Sequence, residues 1–366
     1  MTAGTRVLLT TDAVGGMWIY SLELAHALKR RGVEAVLAVM GPSPTEQQRQ
    51  RAAGLKLIDT GLPLDWMPGS VGDWRRTGNE IARLADRERV DVIQVGSAAV
   101  LAGTRLDWPT VAVQHSCVAS WWDAVRGTAL PPEFEWRRQR VQEGLGAADV
   151  VIAPTAAFAA DTERLYGIAV HAVHNGRTPP AAPQVEQGDF VFTASRLWDE
   201  GKNVATLDAA AARLDVRFEA AGPCEGPNGA AAEFTNLRLP GQLSEERMAG
   251  ILAARPVFAS SALYEPFGLS VLEAAHAGCA LVLSDIPTFR ELWGDVACFV
   301  SARDEAGFAQ TIEFLLADPE LRTALGRAAQ ARARHFLPDL MASEMAGIYE
   351  GLREKRLRSE LLVGAA

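Results

Sequence analysis

Along the first half of the chain, short apolar runs alternate with stretches of helical period: Arg6–Thr10, Val33–Val39, Leu55–Ile58, Val90–Val95, Thr110–Val113, Val150–Ile152 and Val170–Val173. Such alternation predicts βαβ units on a parallel sheet. Several of the runs are apolar throughout rather than at every second position, which is the pattern of strands covered by helices on both faces. After Asn175-Gly176 the pattern lapses, and residues 177–188, with three prolines and no apolar period, read as an interdomain linker. It then restarts with Phe190–Ala194, Val216–Ala220, Asn236–Leu239, Pro256–Ser260, Ala280–Leu283 and Ala297–Val300. From about Asp304 onward the period is helical, through Phe308, Ile312, Phe314 and Leu315, and again through Met341, Met345, Ile348 and Leu352. The predicted architecture is α/β: two facing Rossmann-like doubly wound domains, residues 1–176 and 189–340. A C-terminal helix over 341–366 is predicted to pack back on the first domain. Open α/β sheets bind ligands outside the carboxyl ends of their strands, so chemistry is sought in the strand-to-helix loops.

A length of 366 residues suits two cores, and 48% hydrophobic with 22% charged residues is a globular composition. No run of eighteen apolar residues is present, and the start leads straight into a strand pattern without the features of a secretory signal. A cytoplasmic location is expected. Cys117, Cys224, Cys279 and Cys298 are widely spaced and read as reduced thiols, neither a disulfide framework nor a zinc knuckle. A net charge of −9 argues against a nucleic-acid groove, so any phosphate site must be local. The basic tail Arg353–Arg358 reads as a solvated helix end, with at most a weak peripheral membrane contact.

Three loops carry candidate chemistry. The first is the segment from Leu263 to Glu273, after the strand Pro256–Ser260. Pro266 suits a first helical position, which predicts a helix starting just after Glu265, with the amides of Phe267, Gly268 and Leu269 bare for a phosphate. Glu265 would lie at the mouth of that site. Glu273, about two turns on, could accept two hydroxyl hydrogen bonds from a ribose. The second is Ser195–Asn203, in which Arg196 ends a strand and Lys202 opens a helix, so that both cations can face a diphosphate. The third is Thr10–Met17, where Gly15 and Gly16 allow a tight turn and close approach of a substrate or phosphate. Taken singly, each loop has a plain structural reading as well: helix-start acids, solvated cations beside Asp199 and Glu200, an ordinary turn.

Among the histidines only His115, after the strand Thr110–Val113, points to a site. His171 and His174 face opposite sides of a strand and are not a metal pair, and Asp-x-Asp does not occur. No metal or cofactor is predicted. Seven of the nine tryptophans precede the linker: Trp18, Trp66, Trp74, Trp108, Trp121, Trp122 and Trp136. Of these, Trp18, Trp121 and Trp122 are candidates for the wall of an acceptor site, with core filling the alternative for each.

Together these loops resemble the family 4 retaining glycosyltransferases of the GT-B fold, over nearly the whole chain and in the right order. The family's pattern of two glutamates with seven residues between them matches Glu265 and Glu273. Its arginine and lysine match Arg196 and Lys202, its glycine pair Gly15 and Gly16, its histidine His115, and its Asn-Gly Asn175-Gly176. The resemblance implies metal-independent transfer of a sugar from a nucleoside diphosphate sugar, UDP- or GDP-linked, held by the C-terminal domain. The acceptor, a small molecule, glycan or lipid-linked molecule, falls to the N-terminal domain. By the same resemblance Glu265 contacts the donor sugar, Glu273 the ribose, and Arg196 with Lys202 the diphosphate. Phe267, Gly268 and Leu269 contribute amides, and attack comes from the front face with the leaving phosphate taking the acceptor proton. A nucleotide-sugar epimerase, or a non-catalytic binding protein on the same fold, are the alternatives.

Overall fold

The computed structural model describes residues 4–64, 74–179, 181, 185–226 and 229–364. The chain divides into two units. One holds the stretches up to Trp122, Thr128–Gly176 and from Pro338 onward; the other holds Arg177–Leu337 with Asp123–Gly127.

In the first unit, strands β1 (Arg6–Asp12), β2 (Glu34–Met40), β3 (Lys56–Asp59), β4 (Val92–Val95), β5 (Thr110–Val113), β6 (Val150–Ala153) and β7 (His171–Ala172) form one sheet. Their order is β3-β2-β1-β4-β5-β6-β7, and every pairing is parallel. The second unit repeats the plan with β8 (Val191–Ala194), β9 (Phe218–Ala221), β10 (Arg238–Gly241), β11 (Val257–Ser260), β12 (Leu281–Ser284) and β13 (Cys298–Val300). Here the order is β10-β9-β8-β11-β12-β13, again parallel. Both are doubly wound sheets. In each the chain order reverses at one point, between β1 and β4 and between β8 and β11, and there the crossovers leave to opposite faces. The loops at the carboxyl ends of those strands are splayed apart by this geometry, and open α/β sheets bind ligands at such points.

The continuously apolar strands are buried on both faces, and the period of two divides their side chains between two cores. In the second unit Phe192, Phe258, Leu281 and Leu283 face one core, closed by the helices Leu269–His276, Pro287–Trp293 and Pro319–Ala333. Val191, Val257, Ala259 and Val282 face the other, under the helices Val204–Ala211 and Glu305–Ala317.

The helix Pro338–Gly364 belongs to the first unit, so the chain returns to where it began. Met341, Met345 and Tyr349, four residues apart, lie on one face and join the core of the helix Gly16–Arg30 and strands β1 and β2. Tyr349 is fully buried, and its hydroxyl donates to Gln94 Oε1 on β4. The exposed pair of Arg30 and Asp339, 2.8 Å apart, adds little beside that burial. Among the described residues no helix is long and apolar enough to cross a membrane.

Trp18, a candidate for an acceptor wall, instead fills this core at 2% exposure. In the first turn of the helix Gly16–Arg30, its side chain is directed onto the sheet with Leu22 and Ala25. Trp66 lies outside the described residues. Trp74 is likewise buried.

Candidate active site

The second unit concentrates charge at its switch point. The loop after β8 runs through Ser195 into a single 3-10 turn, Glu200–Lys202, capped by Asp199, whose Oδ1 accepts from Gly201 N at 2.9 Å. Lys202 therefore closes this turn rather than opening the helix, which begins at Val204. The reason is Asn203, whose left-handed backbone (φ +52°) separates turn from helix. Its side chain is committed elsewhere, Nδ2 donating to Ser261 O (2.9 Å) and Ala302 O (2.6 Å), while its backbone carbonyl accepts from Ser261 Oγ (2.7 Å). The amides of Leu263 and Tyr264 both donate to Gly201 O, at 2.9 and 3.1 Å. The loops after β8 and β11 are thus stitched together by backbone and amide bonds.

That stitching brings Lys202 Nζ to 2.7 Å from Glu265 Oε2, with side-chain exposures of 12% and 17%. Glu265 is itself anchored, its carbonyl accepting from Thr288 Oγ1 at 2.7 Å. Arg196 is half exposed; it pairs with Asp199 at 2.7 Å and lies over the Trp198 ring. The two cations thus share one loop but differ in setting: Lys202 is sheltered beside Glu265, and Arg196 reaches outward.

The helix predicted to start after Glu265 begins at Leu269, three residues later. Gly268 takes φ +90°, which halts the helical path, and a β-carbon there would lie 3.0 Å from Phe289 Cε1 and 3.3 Å from Glu265 Cγ. No side chain caps this helix end, and Leu272 N makes the first turn's bond to Gly268 O (3.0 Å). The amides ahead of it, Leu269 to Val271, form a positive end at the mouth of the loop. Phe267 is buried against Phe336, so its side chain belongs to the core. One turn along, Glu273 Oε1 accepts from Arg177 Nε at 2.7 Å. Arg177 lies in the segment read as a linker, and no local pattern marks it; only the fold brings it to the helix of Glu273.

In the first unit, Gly15 and Gly16 are exposed after β1, with nothing within 4 Å of a β-carbon built on Gly15. Asp12 Oδ1 holds the turn by accepting from Val14 N at 2.8 Å, and the helix starting at Gly16 has no side-chain cap. His115 follows β5, its ring 4.4 Å from Tyr20 in an edge-to-face contact, and its buried Nε2 has no protein partner among the described residues. Burial pushes its pKa from the ordinary 6.5 down to about 4. The imidazole is therefore neutral near pH 7, with a ring nitrogen available to a hydroxyl. Trp121, Trp122 and Phe134 form a separate, partly exposed aromatic group, with ring centroids 6.3 and 5.8 Å apart.

The low pKa of His115 has a consequence for stability. Above about pH 6.5 the ring is neutral folded or unfolded and contributes nothing to the slope. As pH falls from 6.5 toward 4 the unfolded chain takes up a proton that the folded one refuses, so stability is lost across that window. The melting temperature is expected to fall less steeply between about pH 7 and pH 4.5 in His115→Gln than in the wild type. Parallel declines would mean that the folded protein protonates His115 freely.

Two family models cover most of the chain: "Glycosyltransferase Family 4" over residues 14–179 and "Glycosyl transferases group 1" over residues 183–332. The chain belongs to the glycosyltransferases of the family 4 type, built on the GT-B fold. Among curated proteins it is 25% identical over 398 aligned residues to D-inositol 3-phosphate glycosyltransferase of Xylanimonas cellulosilytica, covering 94% of each chain. It is 27% identical to phosphatidyl-myo-inositol mannosyltransferase of Mycolicibacterium smegmatis over 45% of each. Among solved structures, sucrose-phosphate synthase from Thermosynechococcus elongatus superposes with a TM-score of 0.75 at 18% identity, over 95% of this chain and 99% of that one. HepE of Anabaena, in complex with UDP and glucose, gives 0.70 at 17% identity over 95% and 99%.

Proposed function

We propose that the protein is a retaining, metal-independent glycosyltransferase whose donor is a UDP- or GDP-sugar. The observation that carries this reading is the sheltered Lys202–Glu265 pair, set beside the uncapped helix end at Leu269 where the second sheet reverses its order. A diphosphate leaving group develops negative charge as its bond to the sugar breaks. Lys202, Arg196 and the helix amides supply fixed positive charge for it, the task a divalent metal performs elsewhere. Among the described residues no group of three His, Cys, Asp or Glu side chains stands ready to hold a metal.

In this reading the anomeric carbon–phosphate oxygen bond breaks while the acceptor hydroxyl bonds to the same carbon from the same face, and its proton passes to the departing phosphate oxygen. Glu265, paired with Lys202, contacts the donor sugar, and Glu273 the ribose. In the first unit the neutral His115 and the Gly15-Gly16 turn contact substrate, and Trp121 and Trp122 are aromatic surface for the acceptor. HepE, solved with UDP and glucose, supports a uridine nucleotide. The inositol phosphate glycosyltransferase supports a small polar acceptor.

A thermal-shift panel of UDP, GDP and ADP with their common sugar conjugates, each with magnesium and with chelator, tests this. The expected result is a rise with one nucleotide family that chelator leaves unchanged and Lys202→Ala diminishes. No shift with any nucleotide would overturn the reading, and a shift that disappears with chelator would overturn its metal independence.

A further inference from the structure

Arg177 is a nearly buried guanidinium, 9% exposed, held at three points. Its Nε donates to Glu273 Oε1 at 2.7 Å, its terminal nitrogen pairs with Glu245 Oε1 at 2.5 Å, and its backbone amide donates to Phe336 O at 3.1 Å. The carboxylates come from two helices, Glu245–Ala253 and Leu269–His276, while Arg177 belongs to neither. A planar guanidinium bonded along its edge fixes the plane as well as the place of its partner.

We propose that Arg177 is a positioning residue that sets the Glu273 carboxylate for the ribose diol of the nucleoside diphosphate, and so makes the site selective for ribonucleotides. The inference rests on the donor reading above. Charge and spacing carry it. The contacts described set one cation between two carboxylates, an arrangement rich in acceptors that suits hydroxyl donors better than phosphate. At Lys202 and the helix start the polarity is opposite. Leu269 and Glu273 lie four residues apart on one helix, about 6 Å along its axis, so the helix presents a phosphate end and a hydroxyl end at the scale of a nucleotide. A guanidinium already engaged by Glu273 and Glu245 is not placed to serve as a phosphate ligand itself.

The test compares the affinity of the folded protein for UDP and GDP with that for their 2′,3′-dideoxy counterparts, by calorimetry. The wild type should favour the ribonucleotide about tenfold or more, as expected for hydroxyls bonded to a charged group. Glu273→Gln should bring that ratio close to one. Arg177→Met should lower it too while leaving the dideoxynucleotide affinity nearly unchanged, and Arg177→Lys should recover part of it. A merely structural arginine would weaken both ligands together. A wild-type ratio in folded Arg177→Met overturns the proposal and leaves the ribose role of Glu273 standing; a wild-type ratio in Glu273→Gln removes that role itself. Should Arg177→Met fail to fold, Glu245→Gln decides: its carboxylate is half exposed, so its loss spares the fold. An intermediate ratio there supports the proposal, and an unchanged one overturns it.

Discussion

Lys202→Ala is expected to lower kcat by about 10²–10³-fold, the usual consequence of removing one preorganised group that stabilises charge in a transition state. The size of the effect follows from how the lysine is held. Its Nζ is 2.7 Å from Glu265 and only 12% of the side chain is exposed. The turn that carries it is tied to the next loop through Gly201, Asn203 and Ser261. Little reorganisation is needed when charge appears on the leaving phosphate. Arg196, half exposed and already paired with Asp199, should matter less; about tenfold is expected for Arg196→Ala. Single-turnover rates with the donor that the nucleotide panel identifies separate this loss from slower product release. Because Lys202→Ala leaves the Glu265 carboxylate without its partner, the double variant with Glu265→Gln should regain stability without regaining activity. Wild-type turnover in Lys202→Ala would remove the lysine from the chemistry.

Tyr349→Ala is expected to destabilise the first unit by about 3–5 kcal/mol, the range for emptying a large buried aromatic site. Tyr349 is buried along its whole length: its ring lies among residues of the helix Gly16–Arg30 and of β1 and β2, and its hydroxyl donates to Gln94. Gln94 in turn donates to Tyr20, the residue whose ring meets His115. Burial raises the pKa of both phenols, so each stays protonated and each hydroxyl keeps its hydrogen. Tyr349→Phe keeps the volume and removes only the bond to Gln94, for which about 1–3 kcal/mol is expected. Urea unfolding followed by hydrogen exchange in β1 and β4 would report both losses in the first unit. An unchanged protection pattern in Tyr349→Ala would reduce the C-terminal helix to an ornament on the surface.

The strands were legible because burial on both faces writes itself as uninterrupted apolar runs. All thirteen expected strands are present, displaced by no more than two residues at any start and by two at the ends. Helix starts were less legible where one backbone angle decides them. Pro266 fits a first helical turn, yet Gly268 and Asn203 adopt left-handed conformations that move the helix starts to Leu269 and Val204. Composition names glycine and asparagine as able to do this without saying where they will. Lys202 and Glu265 could be placed in two loops from the sequence, but their 2.7 Å contact depends on bonds between those loops that no local pattern encodes. Arg177 was hidden for the same reason, since its partners stand 68 and 96 residues away. Trp18 shows the opposite error: an aromatic residue beside a glycine turn reads as a binding surface until the direction of its helix turns it inward.

The return of the last helix to the first unit also bears on how the protein is made. At ribosomal speeds of roughly 5–20 residues per second, the stretch between Gly176 and Tyr349 takes on the order of ten to thirty seconds to synthesise. Through that interval the nascent first unit lacks Met341, Met345 and Tyr349, and the apolar face of the helix Gly16–Arg30 that they cover stays open to water. The second unit, whose chain is continuous apart from a five-residue excursion, can close its own cores before the first one does. The amino-terminal half thus emerges first and matures last, leaving a chaperone-sized window in which that open face is the hazard.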